Sequence, residues 1–262
     1  MKNLFKILPF SKLILLCLVL FHSGVSLAIT YNESFDVELG GILDIQTDTG
    51  SIDIRTHKHP SIELTVKIES DDEDKFTYHT ALSKGNLSII GKLSAKRHWI
   101  KNLRVKFELT VPENYNLELQ TSGGSLSIED ITGQVNARTS GGAIKVGNIT
   151  GNVKLKTSGG SISTAAISGN LNAHTSGGSI QTIINKQLSD DAKLTTSGGS
   201  ITAELIEDIQ IDLYAATSGG RVKTDFIVDG SVKKQSIKGK INGGGPKLTL
   251  TTSGGSIKIN SI

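Results

Sequence analysis

Between Leu117 and Leu213, apolar and polar residues alternate in short runs, and glycine closes most of them. One such run is Gly151-Asn152-Val153-Lys154-Leu155-Lys156-Thr157-Ser158-Gly159. A period of two puts Val153 and Leu155 on one face of a strand and Asn152, Lys154 and Lys156 on the other. The pattern predicts a strand with one buried face. The glycines predict a sharp corner that uses positive φ.

The unit repeats. Gly124, Gly133, Gly142, Gly151, Gly160, Gly169 and Gly178 recur every nine residues, and Val135, Ile144, Val153, Ile162, Leu171 and Ile180 keep the same step. Thr-Ser-Gly-Gly begins at Thr121, Thr139, Thr157, Thr175, Thr196, Thr217 and Thr252, in steps of 18, 18, 18, 21, 21 and 35. So strict a spacing places each residue over its own copy in the next coil, about 4.8 Å away. One coil cannot bury its own apolar face, so stacking must supply the core.

The expected fold is all-β: a parallel β-solenoid, β-helix-like, with coils of about 18 residues and an N-terminal β cap region. Its corners are expected at Gly124, Gly142, Gly160, Gly178, Gly199, Gly220 and Gly255. Short loops are expected near 185–191 and 207–210, where the step lengthens. Asp229-Gly230, between Phe226-Ile227-Val228 and Ser231-Val232, predicts a hairpin projecting from the stack.

Residues 29–118 depart from the strict repeat. The run Leu43 to Ile52 still parallels Leu117 to Leu126, 74 residues on. Longer strands are expected over Ile62 to Ile68 and Arg104 to Val111, the latter stopped by Pro112. This cap region, 29–118, is expected to pack on the end of the repeat region, 119–262, and cover its open edge. The two would form one continuous elongated domain.

Val111-Pro112-Glu113-Asn114-Tyr115-Asn116-Leu117, followed by Thr121-Ser122-Gly123-Gly124-Ser125 and its later copies, carries a resemblance. Over roughly residues 40–262 the chain resembles the bacterial β-strand-repeat family called putative adhesins, a family of unknown function. The resemblance implies an exported β-solenoid in a structural or adhesin-like role at the cell envelope. Some members are similar in lying beside envelope-stress regulators, which implies an accessory role in that response as an alternative. It supplies no catalytic motif.

The first 28 residues change the charge argument. Lys2, Lys6 and Lys12 give a basic start, Leu13 to Phe21 is an apolar run, and Ser26-Leu27-Ala28 offers small residues around a cleavage site. This predicts a secretory signal peptide cut after Ala28, with destinations in the periplasm, at the cell surface or outside the cell. A retained anchor is the alternative, although spanning takes about 20 apolar residues. Cys17, the one cysteine, would leave with the leader, so no disulfide is expected. Taking the three leader lysines from the 28 basic residues leaves them equal in number to the 25 acidic residues. A net charge of zero makes no case for nucleic acid as a partner. A cell-surface glycan, an anionic envelope component or another protein remains.

Candidate chemistry is sparse. Each Thr-Ser-Gly-Gly serine is one copy among seven, whereas a nucleophile needs a unique base and oxyanion donors. His174 shares its slot with Arg138 and Lys156 of earlier coils, an outward polar position. The turns lack the aspartates of calcium-binding β-rolls. His57 and His59, with His79 or His98, make a weak metal signal, and Asp71-Asp72-Glu73-Asp74 reads as a solvated loop. No cofactor or metal is expected. The outward slots vary too much for an ice-binding face. A carbohydrate-active β-helix enzyme would need clustered carboxylates, for which Glu204, Glu207 and Asp208 are the nearest set. Lys96, Arg97, Trp99 and Lys101 hold the one tryptophan among cations and are the candidate binding residues for an anionic ligand. The reading is a binding or structural module and not an enzyme.

Overall fold

The computed structural model describes residues 27–70, 75–94 and 103–262, and its regular elements are all strands. Residues 1–26 of the expected signal peptide, Asp71–Asp74, and the candidate binding residues Lys96, Arg97, Trp99 and Lys101 with His98 lie outside the described residues.

The N-terminal strands are β1 (Leu27–Asp36), β2 (Ile42–Thr47), β3 (Ser51–His57), β4 (Ser61–Ser70), β5 (Phe76–Ser83), β6 (Asn86–Leu93) and β7 (Arg104–Pro112). The regular array runs through β8 (Asn116–Thr121), β9 (Leu126–Ile128), β10 (Ile131–Thr132), β11 (Val135–Thr139), β12 (Ile144–Val146), β13 (Ile149–Thr150), β14 (Val153–Lys156), β15 (Ile162–Ser168), β16 (Leu171–Thr175), β17 (Ile180–Ile184), β18 (Ala192–Thr196) and β19 (Ile201–Leu205). Then come β20 (Ile211–Thr217), β21 (Val222–Thr224), β22 (Asp229–Val232), β23 (Ser236–Ile241), β24 (Lys247–Thr252) and β25 (Ile257–Ser261).

They form two parallel-rich sheets. The first runs β1-β4-β7-β3-β9-β12-β15-β17-β19-β25-β21, with β10 and β13 in a short ladder beside β15. The second runs β22-β23-β20-β24-β18-β16-β14-β11-β8-β2-β6-β5. Through the array the chain alternates between sheets, and each strand pairs with its copy. Val135 pairs with Val153, and Val153 with Leu171; Ile144 pairs with Ile162, and Ile162 with Ile180. Val153, Leu155, Ile162 and Leu171 are buried, while Lys154 and Lys156 are exposed. Each fully buried aliphatic side chain contributes about 1.5–3 kcal/mol. Columns of Val, Ile, Leu and Ala therefore hold the sheets together.

The Thr-Ser-Gly-Gly turns are cross-linked between coils. The hydroxyls of Thr139, Thr157 and Thr175 donate to the carbonyls of Gly124, Gly142 and Gly160, at 2.7–2.8 Å. Each hydroxyl also accepts the N–H of its own second glycine, as Thr157 does from Gly160 at 3.4 Å. Thr157→Val should therefore cost about 1–3 kcal/mol, because it leaves the part-buried Gly142 carbonyl without its donor. The exposed Thr150→Val should change stability by less than about 0.5 kcal/mol. Urea denaturation of both variants checks this, and equal midpoints would refute it.

Of the expected corner column, only Gly124 has positive φ, at 129°. Gly142, Gly160, Gly178, Gly199, Gly220 and Gly255 do not, so backbone strain is not why they are glycine. A Cβ on Gly142 would fall on the carbonyl of Gly124, and one on Gly160 on that of Gly142. The requirement comes from the coil next door. The opposite corner behaves as expected: Gly151 has φ of 147°, and a Cβ there would also meet Gly133.

At the N-terminal end, Leu43 pairs with Leu117 and Ile52 with Leu126, so the run 74 residues upstream is the adjacent coil. The first sheet continues without a break from β3 to β9, and the second from β2 through β8, which contains residue 118, to β11. Beyond it β6 and β7 add in parallel, and β5, β4 and β1 add antiparallel. Phe76 and Phe107 meet edge to face at 6.1 Å between the sheets. Tyr115 is fully buried and donates to the Gly85 carbonyl. Burial pushes its phenol up to about 12.

The C-terminal end differs from the expected projecting hairpin. Asp229–Val232 is itself a strand, and the chain turns at Lys233–Gln235. The hairpin β22–β23 lies antiparallel along β20 and extends the second sheet. The last coil does not lie last: β24 pairs with both β18 and β20, and β25 with both β19 and β21. The threonine bonds follow this order, since Thr252 donates to Gly199 and Thr217 to Gly255. The long step of 35 thus reflects a coil laid out of turn and filled in afterwards.

Candidate functional site

Charge is distributed differently on the two sheets. On the first, it is paired along the N-terminal strands β3, β4 and β7, while among the described residues Lys145, Lys223 and Lys258 further along form no ion pair. Lys106 reaches Glu108 at 2.5 Å and Asp53 at 3.6 Å, and Lys67 reaches Glu108 at 2.7 Å. The Lys106 ammonium, with Lys67 behind it, holds the Glu108 carboxyl down from its ordinary 4.5 to about 2. The same hydrogen bond raises Lys106. Arg104 lies 3.8 Å from Glu69.

On the second sheet, the outward slots of β11, β14, β16 and β18 form two columns. Arg138 pairs in register with Lys156, and Lys156 with His174. Beside them Asn136 pairs with Lys154, Lys154 with Asn172, and Asn172 with Lys193. Not one Asp or Glu occurs on these four strands. Arg138, Lys154, Lys156 and Lys193 are exposed, and among the described residues none forms an ion pair. The acids of this sheet stand to the sides. Asp44 and Glu118 are on β2 and β8, where Glu118 accepts from the Asn136 amide at 2.7 Å, and Asp212 is on β20. Three strand steps make this acid-free basic face about 14 Å wide.

Other candidate residues fall elsewhere. The His57 Nε2 lies 2.7 Å from the Ser61 carbonyl, with the His59 ring edge-on at 5.4 Å. Among the described residues, no three His, Cys, Asp or Glu side chains are grouped as a metal would require. Glu207 and Asp208 line a shallow, open depression with Gln210, Asn242 and Ile262, while Glu204 stands outward on β19. At the N-terminal end, Tyr78 and Thr80 of β5 both donate to Glu33 of β1, at 2.8 and 3.1 Å. Burial, and then the Glu33 carboxylate, raises the Tyr78 phenol well above its usual range. No motif marks that cluster in the sequence. The basic face had a signal in the shared 18-residue slot of Arg138, Lys156 and His174, but a charge sum over the whole chain masked it.

No curated protein matches the chain. The solved structures similar to it include a putative cell adhesion protein from Clostridium sporogenes, 14% identical, with a TM-score of 0.38 over 89% of this chain and 100% of that one. A putative adhesin from Bacteroides fragilis is 13% identical, with a TM-score of 0.42 over 89% and 97%. A family model matches residues 42–164 and again 150–260, and by that double match the chain belongs to the Toastrack DUF4097 family.

Proposed function

We propose that the chain is an exported module of the bacterial cell envelope, structural or adhesin-like, that binds an extended partner along the side of its stack and carries out no catalysis. The observation that supports this is the outer face of the second sheet. Cations, amides and hydroxyls stand there in register across successive coils, with no acid between them. A flat array suits an elongated partner better than a compact one, because each coil adds two more outward polar side chains in register. The basic leader and its apolar run support export.

The test is fractionation of a bacterium producing the tagged chain. The protein should leave the cytosol and begin at Ile29 by mass spectrometry. Recovery from the cytosol with Met1 retained would overturn export.

A further inference from the structure

We infer that the basic face on β11, β14, β16 and β18 is a binding site for a linear acidic polysaccharide lying across the strands. This rests on the reading of the chain as an envelope binding module and names the ligand of that module.

The first argument is energetic. Arg138 and Lys156 are direct register partners on adjacent strands, and like charges so placed destabilise a sheet. Lys154 stands two residues from Lys156 on the same face, and Lys193 lies beyond Asn172. Among the described residues, none of them forms an ion pair, although this chain pairs cations around Glu108 on the other sheet. The same coils carry on their first-sheet strands β12, β15, β17 and β19 only Lys145 and Glu204 as charged residues. Basic charge is thus gathered on one side at a cost to the fold, and a polyanion would remove that cost.

The second argument concerns which polyanion. The outward side chains on these strands include no Phe, Tyr or Trp, and His174 is their one ring, too little to stack successive bases along a strand of nucleic acid. They include no apolar side chain either, so a membrane would gain no inserted wedge. Interleaved with the cations are Asn172 and Thr195, neutral groups that exchange hydrogen bonds with hydroxyls. A polymer carrying both anionic groups and many hydroxyls fits this mixture. Its repeat would run along the stack, meeting a new strand about every 4.8 Å.

The test uses the purified protein, with or without residues 1–28, and polygalacturonate as probe, with dextran as the neutral control. Binding to polygalacturonate should weaken steeply with salt, and dextran should not bind. Lys154→Gln, Lys156→Gln and Lys193→Gln combined should weaken binding about tenfold or more. Its melting temperature at low salt should be equal to or above that of the wild type. The control triple Lys145→Gln, Lys223→Gln and Lys258→Gln, on the first sheet, should bind as the wild type does. Equal losses in both triples would reduce the effect to overall charge and overturn the site. So would tighter binding to duplex DNA or to phosphatidylglycerol vesicles than to polygalacturonate. An exported protein that ignores polygalacturonate overturns the ligand class and leaves the envelope reading intact; a cytosolic protein that binds it does the reverse.

Discussion

Gly142→Ala should lower stability by about 3 kcal/mol, while Gly141→Ala, one residue earlier in the same Thr-Ser-Gly-Gly, should be neutral or slightly stabilising. A Cβ on Gly142 would collide with the Gly124 carbonyl and the Ser125 nitrogen. These are backbone atoms of a neighbouring coil, and they cannot turn aside as a side chain could. Moving them means separating two ladders that Thr139 ties together through the Gly124 carbonyl. A Cβ on Gly141 has nothing within 4 Å. Neither residue has positive φ, so the unfolded-chain entropy gained by replacing glycine is about the same in both. The comparison isolates crowding between coils. Urea midpoints of the two purified variants provide the measurement. If Gly141→Ala proved as damaging as Gly142→Ala, the glycines would be serving local backbone conformation and not coil approach.

Ending the chain before Lys247 should unfold the C-terminal part, a far larger effect than losing one edge coil. In a stack laid down in chain order, the last coil touches one neighbour. Here β24 and β25 lie between the β18–β19 coil and the β20–β21 coil. Their loss removes Leu248, Leu250, Ile257 and Ile259, all at 0% exposure. At about 2–5 kcal/mol for each deleted core side chain, that approaches or exceeds the 5–15 kcal/mol by which a domain is held. It also leaves β18 and β20 without the ladder that joined them. Limited proteolysis of the shortened chain should cut within 206–246, and circular dichroism should show lost strand. A shortened chain that resists the protease there as the full chain does would mean that the terminal coil is an end coil after all.

Much of this protein was legible in its sequence, because a period of two is local. Val153 and Leu155 point inward and Lys154 and Lys156 outward, as alternation in an extended backbone requires. The 74-residue echo of Leu43 in Leu117 already identified two segments able to stack, and they are register partners. The candidate site was half legible. Arg138, Lys156 and His174 visibly shared a slot, but a sum of charge over the chain carries no information about sides. The paired acids Asp53 and Glu108 sit on one sheet, and the acid-free strands with Arg138, Lys154, Lys156 and Lys193 on the other.

The order of the coils was decided only by the tertiary structure. Copies of Thr-Ser-Gly-Gly are close to interchangeable, so the sequence makes any coil a fit neighbour for any other. The inserted β24–β25 coil comes from where the hairpin β22–β23 lays the chain along β20, a contact between residues 211 and 241 that no local pattern encodes. The reason each second glycine must be glycine was hidden in the same way. At Gly142 the backbone is ordinary for any residue, and the obstacle is a carbonyl 18 positions earlier that only stacking brings near. Local alternation determined which residues form strands and which face is buried. Long-range packing determined which coil lies against which, and what each glycine must leave room for.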